Sequence, residues 1–268
     1  MACEVAIIGG TGLYDPGLLQ DTAEQLVRTP FGPVALMTGR WGERRVAFLP
    51  RHGPGHSTPP HRVNYRANIW ALAEMGVRRC LASAACGSLR EDLPPGSLAT
   101  CDQFLDFTRG RPSTFFDGGE EGVRHVDMTE PYCPELRAAL AAAAEGLGLR
   151  LAPRATYVCT EGPRFETPAE IRAFAMLGGD LVGMTGVPEV VLAREAGICY
   201  AAVAIATNFA AGLAGQPLSH DEVVAAMGQA TADVRRLMLA ALDGLDGGAC
   251  GRCPPAPGPV GGMGGRDR

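Results

Sequence analysis

Apolar runs short enough to be strands recur along this chain, and each stops abruptly in glycine, small residues or one polar side chain. EVAII (4–8) runs into glycines, RRVAFLP (44–50) into RHGPGH, RATYVCT (154–160) into EGPRFE, and CYAAVAIATN (199–208) ends on Asn208. RRCLASAACGS (78–88) reads as a strand turning into a small-residue loop, and DLVGMT (180–185) as a further strand. Between them lie stretches with helical spacing. RVNYRANIWALAEMG (62–76) puts Ile69, Leu72 and Met75 on one face and stops at Gly76. PELRAALAAAAEGLG (134–148), a helix from Thr167 or Pro168, PEVVLAREAG (188–197) and SHDEVVAAMGQATADVRRLMLAALDG (219–244) follow. Strands alternating with helices predict an α/β layer structure with a mostly parallel central sheet. VALMTG (34–39) and RRVAFLP form an expected hairpin across RWGE.

With 268 residues, 46% of them hydrophobic, the chain buries a full core as one domain, expected over 1–246. Residues 247–268, GGACGRCPPAPGPVGGMGGRDR, have almost nothing to bury and are expected to be a disordered tail. Its Cys250-x-x-Cys253 needs a second ligand pair before it reads as a metal site, and the sequence displays none. The other seven cysteines are scattered, several inside apolar runs, as reduced buried thiols are; a cytoplasmic location is the expectation. EVAIIGGTG starts without a basic leader, and no apolar run approaches the roughly 20 residues of a membrane helix, so neither secretion nor membrane insertion is expected. A net charge of −5 gives no general attraction to nucleic acid.

Glycines in IIGGTG permit close backbone approach to an anion, with the Thr11 hydroxyl beside them. A dinucleotide-binding fold, as in an NAD-dependent oxidoreductase, wants a second strand closed by an acid about 20 residues later; VRTPFGP there reads as neither strand nor acid. In RHGPGHSTPPHR (51–62), three histidines suggest a metal, but Arg51, Arg62 and the nearby Arg66 repel a cation, so an anion is the better guest. ASAACGS supplies backbone amides near Ala84 and Ala85 for the same anion. Cys86 has no histidine and carboxylate readable beside it and is read as a structural thiol. In EGPRFETPAE, Thr167 and Glu170 form a capping box, which leaves Phe165 and Glu166 without a structural duty. Met184 and Thr185 stand at a strand end.

IIGGTG, RHG with a following histidine, NYRANIWAL, ACGSLRE, EGVRHVDMTEPYCP, EGPRFET, GMTGVPEVVLAREAGICYA and ATN, in that order over about 4–243, resemble the methylthioadenosine phosphorylase branch of the trimeric purine nucleoside phosphorylases. The resemblance implies a single α/β domain with a twisted central mixed sheet flanked by helices and a homotrimer. It also implies an enzyme that uses phosphate as co-substrate to displace a purine from C1′ of a nucleoside, without metal or organic cofactor. By position, Thr11, Arg51, His52, the backbone at Ala84 and Ala85, and Thr185 would hold phosphate. Met184 would meet the ribose, Phe165 the base, Asn208 its N7 side, and His125 would reach the 5′ end of a neighbouring subunit's sugar.

The departures from that branch bear on specificity. Methylthioadenosine enzymes carry aspartates where this chain has Asn208 and Ala210, one to protonate N7 and one to accept from the 6-amino group. A neutral amide supplies no proton, which favours a 6-oxopurine whose leaving charge spreads toward O6. Glu166 agrees, because N1 of hypoxanthine or guanine donates a hydrogen, whereas N1 of adenine would set a lone pair against the carboxylate at a cost of about 1–3 kcal/mol. His220 resembles the histidine that 6-oxopurine enzymes place on the 5′-hydroxyl, where the methylthio branch is apolar. The expected activity is phosphorolysis of inosine and guanosine in purine salvage; the alternative is a methylthioinosine or methylthioadenosine phosphorylase.

Overall fold

The structure, a computed structural model, describes residues 3–9, 19–53, 55, 57–119, 122–213, 220–245 and 250–253, with the backbone alone for 220–229. Its centre is β11 (Cys199–Phe209), an apolar strand covered on both faces. Ala202, Ala204 and Ala206 face one core with α1 (Tyr65–Glu74) and α4 (Gly186–Glu195), while Ala201, Val203 and Ile205 face a second core with α2 (Pro134–Leu147) and α5 (His220–Asp243). β1 (Val5–Gly9) alternates likewise, with Ala6 and Ile8 in the first core and Val5 and Ile7 in the second. This double burial explains runs with no polar side, since each strand must be apolar toward both helical layers.

The sheet is mixed. Along its main path the order is β2 (Gln20–Thr29), β3 (Gly32–Trp41), β4 (Arg44–Pro50), β1, β5 (Arg79–Ser88), β10 (Leu181–Gly183), β9 (Thr156–Thr160), β7 (Gln103–Phe107). β11 branches from β5 and leads through β6 (Leu98–Thr100) to β8 (Leu151–Ala152). The expected hairpin is present, with Trp41 opposite Arg44. β2 corrects the sequence expectation, because Val27–Thr29 does end a strand and only the acid is missing there. It is a solvent-exposed edge whose side chains show no apolar alternation, so the pattern was invisible; its antiparallel pairing to β3 lacks the helical crossover of a dinucleotide-binding unit. RRCLASAACGS needs correction too, since strand structure continues through all its small residues to Ser88.

Helix ends follow the local code. Asn64 caps α1 by accepting from Ala67 N–H at 3.1 Å, and α3 (Pro168–Met176) begins with the Thr167/Glu170 capping box. Of residues 247–268, expected to be a tail, the structure describes Cys250–Cys253, and both cysteines pack partly buried against the second core. No helix among the described residues is long and apolar enough to cross a membrane.

Candidate active site

Most of the residues singled out by sequence follow the carboxyl ends of β4, β9, β10 and β11 or lie in β5; because β10 and its parallel neighbour β9 run antiparallel to β5, their carboxyl ends point back toward those of β1 and β4, and the two sets of ends face each other along β5. Arg51 comes directly after β4, and its N–H bonds to the Gly9 carbonyl at 3.1 Å, tying together the ends of β4 and β1. Its guanidinium is buried. Nε and Nη2 donate to Oε2 and Oε1 of Glu189 at 2.7 and 2.6 Å, and Nη1 donates to the Ser83 carbonyl at 2.8 Å. Tyr200 Oη donates to the same Glu189 at 2.6 Å. Burial pulls the Arg51 pKa down, but the charge and hydrogen bonds of Glu189 outweigh it and hold the group above its ordinary value. Among the described residues, three of the five guanidinium N–H groups find acceptors in this way and two do not. The buried His52 ring gives its Nδ1–H to Thr58 O at 2.8 Å, which directs Nε2 to the other side.

Among the described residues, no strand pairs with one edge of β5 next to this arginine. β1 accompanies it only to Ala82, and β10 joins it only at Gly87. The Ser83 carbonyl points to the gap, whereas the Cys86 carbonyl takes Thr207 Oγ1 of β11 at 3.2 Å. Since backbone groups alternate sides along a strand, the Ala85 N–H faces the gap and Ala84 turns its amide toward β11. Thr185 is the N-cap residue of α4, with its own N–H and that of Gly186 taken by the buried Tyr157 Oη at 3.1 and 3.3 Å. A Cβ on Gly186 would sit 2.8 Å from the Tyr157 ring, so a glycine is needed for that arrangement.

A second group of residues surrounds the mouth of β11. A bulge between Ala206 and Asn208 resets the register there. The Asn208 carboxamide accepts from Thr207 Oγ1 at 2.8 Å and donates to Phe209 O at 2.8 Å. Ala210 is buried with Val158, Ile171, Phe174 and Val182, its N–H on Ser88 O at 2.8 Å. Glu166 is buried, and Thr160 Oγ1 donates to its Oε1 at 2.6 Å, while the neighbouring Phe165 is 38% exposed. Gly162, with φ +65°, starts the EGPRFE turn, and a Cβ there would lie 2.5 Å from Met184 Sδ, so the turn packs directly on Met184.

Two residues that sequence reasoning passed over join these groups. Glu189 had a readable signal, a carboxylate in the otherwise apolar PEVVLA, where burial demands a cationic partner. Arg111, in the irregular stretch before α2, donates to the carbonyls of Thr160, Glu161, Met184 and Val187, and so clamps the Phe165/Glu166 loop to the Met184/Thr185 loop. No periodic pattern marks it. His125 is exposed, Thr11 lies outside the described residues, and so does the His220 side chain. Burial drives the Cys86 thiol well above its ordinary pKa, consistent with a structural thiol.

The chain matches the phosphorylase superfamily over residues 4–243 and belongs to that family. It is 55% identical over 244 residues to the 6-oxopurine nucleoside phosphorylase of Pyrococcus furiosus, covering 89% of this chain and 91% of the relative. It is 56% identical over 221 residues to a protein of Methanopyrus kandleri named "Probable S-methyl-5'-thioinosine phosphorylase", covering 82% and 84%. Its fold superposes with a TM-score of 0.86 on methylthioadenosine phosphorylase from Schistosoma mansoni in complex with adenine, at 37% identity, covering 91% of this chain and 93% of that one.

Proposed function

We propose that this protein cleaves 6-oxopurine nucleosides with phosphate, yielding free base and ribose 1-phosphate. The observation that carries this reading is Asn208, a carboxamide fixed at the strand mouth by Thr207 and Phe209, with the apolar Ala210 two residues on. The C1′–N9 bond breaks, its electron pair passes into the purine, and a phosphate oxygen bonds to C1′. The proton that monohydrogen phosphate loses balances the one the base gains. Asn208 cannot donate that proton, so its role is to hydrogen-bond the N7/O6 edge while charge spreads to O6. Glu166, held by Thr160, accepts from the N1–H of the oxopurine.

The phosphate lies, in this reading, against the two remaining Arg51 donors, His52, the Ala85 N–H, Thr185 and Thr11. Glu189 neutralises much of the arginine's charge, so this pocket acts by aimed hydrogen bonds more than by net charge. Phe165 and Met184 cover base and ribose, as in the family. The reaction takes no metal or organic cofactor, the working unit is a homotrimer to which His125 contributes across the interface, and the compartment is the cytoplasm.

The relative from Methanopyrus kandleri favours one second reading, a methylthioinosine phosphorylase. One substrate panel separates the two: inosine, guanosine, adenosine, methylthioadenosine and methylthioinosine, each with and without phosphate, on wild type and His220→Val. Phosphate-dependent release of hypoxanthine and guanine far above adenine is expected, with the variant moving toward 5′-methylthio sugars. Efficient adenosine cleavage by wild type would overturn the 6-oxopurine reading, and methylthioinosine preferred over inosine would select the second.

A further inference from the structure

Four cysteine sulfurs from three separate parts of the chain meet at the end of β11 opposite Asn208. Cys133 is the N-cap residue of α2, Cys199 opens β11, and Cys250 and Cys253 lie beyond α5. Their Sγ atoms all lie within 4.8 Å of one another, and Cys133 Sγ is 3.6 Å from Cys250 Sγ. We propose that these four thiols form a structural zinc site that fastens the end of the chain to α2 and β11.

The spacing suits the ion. Four sulfurs about 2.3 Å from a tetrahedral zinc are roughly 3.8 Å apart, so little movement closes the shell. Cys250-x-x-Cys253 has the two-residue spacing of a zinc knuckle, and the fold supplies the second pair that the sequence alone did not display. That second pair is held by backbone bonds: Cys133 N–H to Tyr200 O at 2.8 Å and Cys199 N–H to Arg78 O at 2.9 Å. The knuckle is held as well, because Gly251 N–H donates to Glu135 Oε1 at 3.2 Å in the first turn of α2, and Arg44 donates to the Leu245 carbonyl just after α5. The positive end of α2, where Cys133 is the N-cap residue, offsets part of the negative charge of a tetrathiolate centre, and Arg79, 3.6 Å from Glu135, balances the carboxylate that lies beside it. Apolar packing around all four cysteines shields the ion, and an all-sulfur shell selects a soft or borderline divalent metal such as zinc.

Binding is acid–base chemistry without electron transfer: up to four thiol protons leave as four Zn–S bonds form. The nine residue steps of β11 from Cys199 to Asn208 span roughly 30 Å. The site therefore acts on the stability of the α5 end of the fold and leaves turnover of the folded enzyme unchanged.

The test is elemental analysis of full-length protein purified under reducing conditions with zinc supplied, beside Cys250→Ser/Cys253→Ser. About one zinc per chain is expected in the wild type and none in the variant, which should keep its kcat and unfold several degrees lower. As a readout independent of that variant, cobalt-reconstituted wild type should show the visible bands of tetrahedral thiolate coordination. Absence of stoichiometric metal from the wild type, whether its thiols titrate as free or as paired disulfides, or zinc retained by the variant, would overturn the proposal.

Discussion

At the proposed phosphate end, the Arg51 and Glu189 side chains are each 1% exposed and share two short hydrogen bonds. At the proposed base end, Glu166 is steadied by the hydroxyl of Thr160 and Asn208 by Thr207 and the adjoining backbone, and Phe165 is partly open to solvent. Removing one partner of a buried ion pair strands a charge, whereas exchanging a side chain held by a threonine costs about one hydrogen bond. The proposed phosphate end is thus costly to alter, and the proposed base end is cheap. Relatives that share about half their residues with this chain nonetheless carry names for different nucleosides, which is what such a division of labour allows.

The largest expected effect comes from breaking the pair. Arg51→Ala should lose about 3–5 kcal/mol of stability in denaturant unfolding, because Glu189 is left buried and alone. It should also lower kcat/KM at least about tenfold with a raised KM for phosphate, since a charge-assisted contact is worth about 1.5–3 kcal/mol. Arg51→Met combined with Glu189→Leu should recover much of the stability and none of the phosphate saturation. If the double variant regains phosphate affinity, the pair is purely structural and the contrast between the two ends disappears.

A smaller effect is expected at the base end. Glu166→Ser with Asn208→Asp should change stability by about 1 kcal/mol, lower inosine kcat/KM by roughly 10- to 100-fold and raise that for adenosine. Ala210 is the exception here, because an aspartate at 210 would enter the apolar cluster of Val158, Ile171, Phe174 and Val182. Adding Ala210→Asp should therefore cost more in unfolding than the other two substitutions together. A large stability loss from Glu166→Ser and Asn208→Asp alone would mean that this end is as rigid as the other.

The smallest effect concerns the helix that follows the Phe165/Glu166 loop. Glu170 is held down to a pKa of about 2, first by its hydrogen bond from Arg164 and then by the Thr167 N–H of the capping box. A carboxylate depressed in the folded state contributes stability at pH values above its ordinary pKa, and that contribution is lost as pH falls toward about 2. In Glu170→Gln the loss of stability over this acid window should be slightly shallower than in wild type. Its exposure makes the difference small. Identical acid unfolding curves would show the cap to be energetically idle.

Sequence by itself determined the alternation of strands and helices, the hairpin and most helix limits, and it named most of the residues of the candidate site. Each of these rests on local patterning: double-sided apolar runs for β1 and β11, the capping box at Thr167, glycine where the EGPRFE turn demands positive φ. Tertiary structure alone decided what long-range pairing creates. β2 is a strand because β3 lies beside it, and Arg51 is anchored because Glu189, 138 residues away, needs a cation. Arg111 binds two loops by way of carbonyls, which carry no residue identity for a sequence to display. Cys250 and Cys253 acquire a second pair only because α2 and β11 begin side by side. Local periodicity records which faces are buried; which distant groups share a burial site depends on chain closure, and that information exists only once the sheet has formed.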